Sequence, residues 1–129
     1  SDLGLKRISI TFGTVVGSFN CSRNKLESLK GCPSKVGGDF WCSLNKLISL
    51  EGSPKEVGGS FYCSRNKLVS LKGCPSEAYD FWCSHNKLVS LKGCPSKVGR
   101  DFNCSNNKKQ FTEKDVKSLC KVGGKIYIK

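Results

Sequence analysis

Nine cysteines, a single histidine and 22 basic side chains are the groups in this 129-residue chain with chemistry to offer. Thiols beside an imidazole can supply a nucleophile and its base, or a zinc site, but both need particular spacings. The sequence contains no C-x-x-C and no clustered Cys/His set. An odd cysteine count also argues against a complete disulfide framework. What the cysteines follow instead is a period. Cys21, Cys42, Cys63, Cys83 and Cys104 form one series; Cys32, Cys74 and Cys94 form a second, with Ser53 filling its gap, and Cys120 stands outside both. Thiols in such columns read as small buried apolar side chains, which implies a reducing compartment and hence the cytoplasm. Cys120 is expected to pack on a nearby helix. His85 occupies a position held in the other copies by Arg23, Leu44, Arg65 and Asn106, which makes it a variable surface residue without triad partners. No G-x-x-x-x-G-K-[ST] phosphate loop is present. The expectation is a protein that is no enzyme, with no catalytic residue, metal site or cofactor.

The elements behind the period are repeats. Phe19, Phe40, Phe61, Phe81 and Phe102 head five copies of F-x-C-S-x-N-K, at intervals of 21, 21, 20 and 21 residues. Four copies continue into L-x-S-L through Leu26/Leu29, Leu47/Leu50, Leu68/Leu71 and Leu88/Leu91, and each then reaches Gly-Cys-Pro or Gly-Ser-Pro. The short interval comes from SEAYDF at Ser76–Phe81, one residue less than SKVGGDF. That is a local loop deletion.

In V-x-x-x-F-x-C-S-x-N-K-L-x-S-L, the residues Phe40, Cys42, Asn45 and Leu47 stand in the slots of L-x-x-L-x-L-x-x-N/C-x-L, so the chain resembles the leucine-rich repeat over about Val15 to Asn107. It departs by using Phe and Cys where leucine is commoner, and by placing Val36 four rather than three residues before Phe40. The wording G-C-P-x-x-V-G-G-x-F-x-C-S-x-N-K-L is similar to small leucine-rich-repeat proteins encoded by large tailed bacteriophages. The resemblance implies a right-handed solenoid, and the phage likeness implies an intracellular protein acting on a host factor, by inhibition of a host enzyme or of a defence component.

Physical reasoning leads to the same fold class. At 37% hydrophobic residues one compact core would be thin. A 21-residue unit cannot bury its own apolar side, so units must stack, with short parallel strands on a concave face and a mostly irregular convex side. Phe40 and Cys42 then point inward, and Leu47 and Leu50 close the coil. The column Asn24, Asn45, Asn66, Asn86, Asn107 is expected to satisfy backbone groups of the turn leaving each strand. Gly37-Gly38 and Gly58-Gly59 are read as sharp corners. Residues 1–14 are assigned to an N-terminal β cap (Leu5, Ile8, Ile10, Phe12), 15–107 to five repeats, and 108–129 to a C-terminal cap. In that cap Thr112 is the expected helix N-cap and Val122–Ile128 a further strand.

Outward-facing columns carry the functional expectation. Asn20, Trp41, Tyr62, Trp82 and Asn103, with Tyr127 continuing them, make a row whose rungs stand about 4.8 Å apart. Its aromatic centre has the composition of a binding hot spot, and also of a stiffening ladder. Asp39, Asp80 and Asp101 beside the row, with Arg23, Arg65 and His85, are expected to give polar specificity for a protein partner. The formal charge of +12 suggests an anionic partner, and Lys25, Lys46, Lys67, Lys87 and Lys108 form a column that a phosphate backbone could meet. Nucleic acid is therefore the alternative partner. No run approaches the roughly 18 apolar residues of a membrane span, and SDLGLKRISI lacks a signal-peptide layout, so no membrane association is expected. A monomer is the expected state.

Overall fold

The computed structural model describes residues 13–129, and over that length the chain is a parallel β-solenoid of about five turns. Leu5, Ile8, Ile10 and Phe12, expected in an N-terminal cap, lie outside the described residues. Two strips of two-residue strands run along the solenoid. The first comprises β2 (Phe19–Asn20), β4 (Phe40–Trp41), β6 (Phe61–Tyr62), β8 (Phe81–Trp82), β10 (Phe102–Asn103) and β12 (Ile126–Tyr127), joined in that order into one six-stranded parallel sheet. Register is strict: Phe19, Phe40, Phe61, Phe81, Phe102 and Ile126 are successive partners. The last strand places a sixth rung inside the stretch assigned to the C-terminal cap.

The core follows from that register. Phenylalanines 40, 61, 81 and 102 are fully buried and pack ring on ring at 5.2–5.9 Å from Phe19 to Phe102. The strand cysteines and the paired leucines of four repeats fill the rest of the coil. The asparagine column does more than was expected of it. Asn45 Nδ2 donates to the carbonyls of Cys42, in its own coil, and Cys21, in the preceding one, both at 3.0 Å. Its Oδ1 accepts from the backbone N–H groups of Asn24 and Leu26 at 3.1 Å. Asn66 and Asn86 repeat this pattern. Each amide thus bolts its own coil to the one before it, satisfying backbone groups that no water reaches.

The turn after each leucine pair is closed by a backbone bond, for example Cys32 N to Leu29 O at 3.1 Å, with Gly31, Gly52, Gly73 and Gly93 at φ between 90° and 102°. Those four glycines occupy the left-handed slot that such a turn requires.

The side expected to be mostly irregular carries the second strip. Here β1 (Thr14–Val15), β3 (Lys35–Val36) and β5 (Glu56–Val57) form one sheet, and β7 (Glu77–Ala78), β9 (Lys97–Val98) and β11 (Lys121–Val122) another. No ladder joins β5 to β7. The interruption falls where the fourth repeat is one residue short. Elsewhere the first glycine of the corner donates to the preceding coil, as in Gly58 N to Val36 O at 2.8 Å and Gly99 N to Ala78 O at 3.0 Å. The fourth repeat lacks that residue and runs from Ala78 directly to Tyr79, whose N–H pairs with Gly59 O.

The Gly-Gly corners are bends, as expected, and they have a second role. Gly37, Gly38, Gly58 and Gly59 do not adopt positive φ. What they provide is closeness: a Cβ on Gly37 would lie 2.2 Å from Val16 O, and one on Gly58 2.3 Å from Gly37 O. Coils stack there backbone on backbone.

Near the C-terminus, α1 (Glu113–Lys117) starts at Thr112 as expected, whose Oγ1 accepts from Asp115 N at 3.1 Å while Asp115 Oδ2 accepts from Thr112 N at 2.9 Å. This reciprocal pair is a capping box, and it holds the Asp115 carboxyl below its ordinary range. Val116 and Cys120 are buried against the last coils.

Candidate functional site

The six-stranded sheet positions the candidate site. Because Phe and Cys at either end of each strand segment point inward, the residue between them must point out. The register brings Asn20, Trp41, Tyr62, Trp82, Asn103 and Tyr127 into one row. Trp41 and Tyr62 approach with ring centroids 6.1 Å apart and planes at 43°; Tyr62 and Trp82 meet edge to face at 5.6 Å and 85°. Both indoles stay open, Trp41 at 36% and Trp82 at 38% of full exposure, and Tyr62 between them is half-buried. An edge-to-face and a tilted pair contribute about 0.5–1.5 kcal/mol each, so the row stiffens the face as well as presenting it. On either side of this aromatic centre the asparagines are turned back on their own strands, and Tyr127, 40% exposed, is the last rung beyond Asn103. Asn20 Oδ1 accepts from Ser22 N at 2.9 Å, and Asn103 Oδ1 accepts from Ser105 N and Ser105 Oγ at 3.0 and 2.8 Å.

The acidic column is placed differently from the sequence expectation. Ser18, Asp39, Ser60, Asp80 and Asp101 are the successive rungs of a second side-chain ladder. Ser18 Oγ accepts from Asp39 N, Asp39 Oδ1 from Ser60 N, Ser60 Oγ from Asp80 N, Asp80 Oδ1 from Asp101 N, and Asp101 Oδ1 from Lys125 N, all at 2.7–3.0 Å. Asp80 is 2% exposed and also binds Arg100 through both carboxylate oxygens, at 3.1 and 2.8 Å. That hydrogen-bonded pairing raises the pKa of the Arg100 guanidinium, which in turn stacks 5.3 Å over the ring of Tyr79. Their first duty is to tie coil to coil, and Asp80 has no free face for a partner.

The variable column shows a feature that sequence reasoning missed. Arg23, Leu44, Arg65, His85 and Asn106 all sit at φ between 55° and 58°. This is the left-handed region, which costs a residue with a Cβ about 1–2 kcal/mol relative to glycine. Arg23, Leu44, Arg65 and His85 donate their N–H to the serine carbonyl of the next coil at 3.0–3.1 Å, and the asparagine that follows each locks the turn. Glycine would fit all five positions without strain, yet every copy carries a side chain there. The signal available in the sequence was the placement of each directly before a buried asparagine that must turn back into the core.

Lys25, Lys46, Lys67, Lys87 and Lys108 are exposed, and none is in an ion pair with another described residue. Two residues further on lies a row that the sequence reading did not single out: Ile48, Val69 and Val89, exposed by 57%, 51% and 57%.

The thiols are shielded. Burial pushes Cys42, Cys63 and Cys83 far above the ordinary thiol range; Cys94 is pushed to about 11, and Cys104 and Cys120 to about 12, chiefly by the same cause. Cys32 is raised by a hydrogen bond with Cys21 and by burial. All nine cysteines are unpaired, and among the described residues no cluster of His, Cys, Asp or Glu could hold a metal ion. No described helix is long and apolar enough to cross a membrane. Set against protein-family models, curated proteins and solved structures, the chain matches none.

Proposed function

We propose that this chain is a non-enzymatic binding module whose partner is a protein seated on the six-stranded face. The observation that carries the reading is the registered row of Trp41, Tyr62 and Trp82, with both indoles open at its middle and polar residues at its ends. Aromatic anchors within a polar surround are the usual centre of a protein interface. The strained column adds support. Backbone strain retained where glycine would relieve it points to a use for the side chain, and Arg23, Leu44, Arg65 and His85 each stand three residues along the chain from the row. In the leucine-rich-repeat reading this face is concave. The resemblance of the repeat wording to proteins of tailed bacteriophages points to a host protein as the partner, such as a defence component, inhibited or redirected in the host cytoplasm.

Nucleic acid along the lysine column is the weaker alternative, because its exposed neighbours are the aliphatic Ile48, Val69 and Val89 rather than stacking aromatics or base-reading amides. Affinity capture from host lysate with mass spectrometry names the partner. Trp41→Ala with Trp82→Ala should abolish that capture while leaving far-UV circular dichroism intact, and undiminished capture refutes the reading. Leu44→Gly sharpens the point. It should raise stability by about 1 kcal/mol by relieving strain and still weaken capture.

A further inference from the structure

The row beyond the asparagine turn is a second surface, built differently from the aromatic face. In the second, third and fourth coils the exposed Ile48, Val69 and Val89 follow one another, with Val69 N donating to Ile48 O at 3.1 Å. Leu119, 46% exposed, continues the apolar line at the C-terminal end. Between Val89 and Leu119 opens a recess of about 150 Å³, walled by Val89, Leu91, Phe111 and Leu119 and, on its polar side, by Lys109 and Asp115 among others. Exposed lysines bracket the row: Lys46, Lys67 and Lys87 on one side, Lys72 and Lys92 on the other, where Glu51 holds the same place in the second coil. Ion pairs between described residues involve none of these five.

We propose that this stripe docks an amphipathic helix of a partner protein, apolar along one line and rich in Asp or Glu on both flanks of it. Charge complementarity selects the acidic flanks, since five unpaired lysines against the single Glu51 border one apolar line. Spacing selects the helix. Coils repeat about every 4.8 Å and a helix advances about 5.4 Å per turn, so each exposed aliphatic side chain meets one turn of the ligand. The i, i+3, i+7 residues of such a helix would lie along Ile48, Val69 and Val89, and the next would enter the recess beside Leu119. A membrane is the poorer match: one aliphatic residue per coil makes a line too narrow to embed, and the socket is sized for a single side chain.

The probe is a fluorescein-labelled, end-capped peptide of about 16 residues, with leucines at i, i+3, i+7, i+10 and glutamates flanking them, titrated into the full chain by anisotropy. Saturable binding is expected, weakened about tenfold or more by Val69→Ser with Val89→Ser and similarly by Lys67→Glu with Lys87→Glu, and unchanged by Trp41→Ala. These substitutions are at exposed positions, and circular dichroism checks that the fold is kept. The proposal is overturned by a peptide that fails to saturate, by a V69S/V89S chain that binds equally well, or by equal binding of the same leucine pattern flanked by lysines. It is equally overturned if the chain ignores the peptide and instead sediments with phosphatidylserine vesicles or retards a DNA duplex. Because Trp41 takes no part, the outcome is independent of what binds the aromatic face.

Discussion

The two strips of strands are made by the same repeats, yet one is continuous over six strands and the other is broken between β5 and β7. The difference lies in what each strip protects. Phe61 and Phe81 remain register partners although the interval between them is one residue short, because slipping that register would turn a buried phenylalanine outward. At the corner the missing residue costs only a ladder bond near the surface, between Val57 O and the absent glycine. Core side chains therefore hold the period, and corner backbone absorbs its errors.

The largest effect expected from testing this contrast is on the continuous side. Asn66→Ala leaves the buried N–H groups of Asn45 and Leu47 without their acceptor and removes one of the two asparagine donors at each of the Cys42 and Cys63 carbonyls. Unpaired buried groups cost about 1–3 kcal/mol each, so a loss of about 3 kcal/mol or more is expected in urea unfolding. A loss under about 1 kcal/mol would show that the face does not depend on its asparagines.

At the corner, Gly58→Ala and Gly99→Ala form a matched pair. The first places a Cβ 2.3 Å from Gly37 O and should cost about 1–3 kcal/mol. The second meets only the Tyr79 ring at 3.2 Å, over the missing residue, and should stay within about 0.5 kcal/mol. Equal costs would break the account of close stacking. Inserting a glycine between Ala78 and Tyr79 should restore the ladder, raising stability by about 1 kcal/mol and slowing amide exchange at residues 76–78.

The smallest signal comes from the thiols. With its pKa pushed to about 11, Cys94 should alkylate slowly at neutral pH and about tenfold faster per pH unit, while Cys63, on the continuous side, stays protected until unfolding. Mass mapping after iodoacetamide pulses at pH 7 and pH 9 checks this, and equal labelling of the two sites would contradict the burial of Cys63.

Sequence reasoning reached the solenoid, the inward Phe, Cys and Leu columns, the asparagines and the aromatic row, because each repeats at the period that core packing imposes. The corner glycines are the bends their sequence suggests, but their close approach to the neighbouring coil is visible only once coils are stacked. Asp80 was expected to face a partner; its neighbour Arg100 and the ladder it joins are visible only once coils are stacked. Ile48, Val69 and Val89 were passed over as more aliphatic residues in an aliphatic stretch. The alternation Lys-Leu-Val-Ser-Leu does place them outward, with a leucine on either side buried.

The asparagine bolts also have a direction. Asn45 serves Cys21, Asn24 and Leu26 of the coil before it, so no coil is complete until the next has been laid down. On a ribosome this chain would fold in steps, each about 20 residues behind synthesis, with the newest coil always waiting for its successor. Opened from the C-terminal end, it would come apart in the reverse order, every coil lost uncovering the hydrogen bonds of the one beneath.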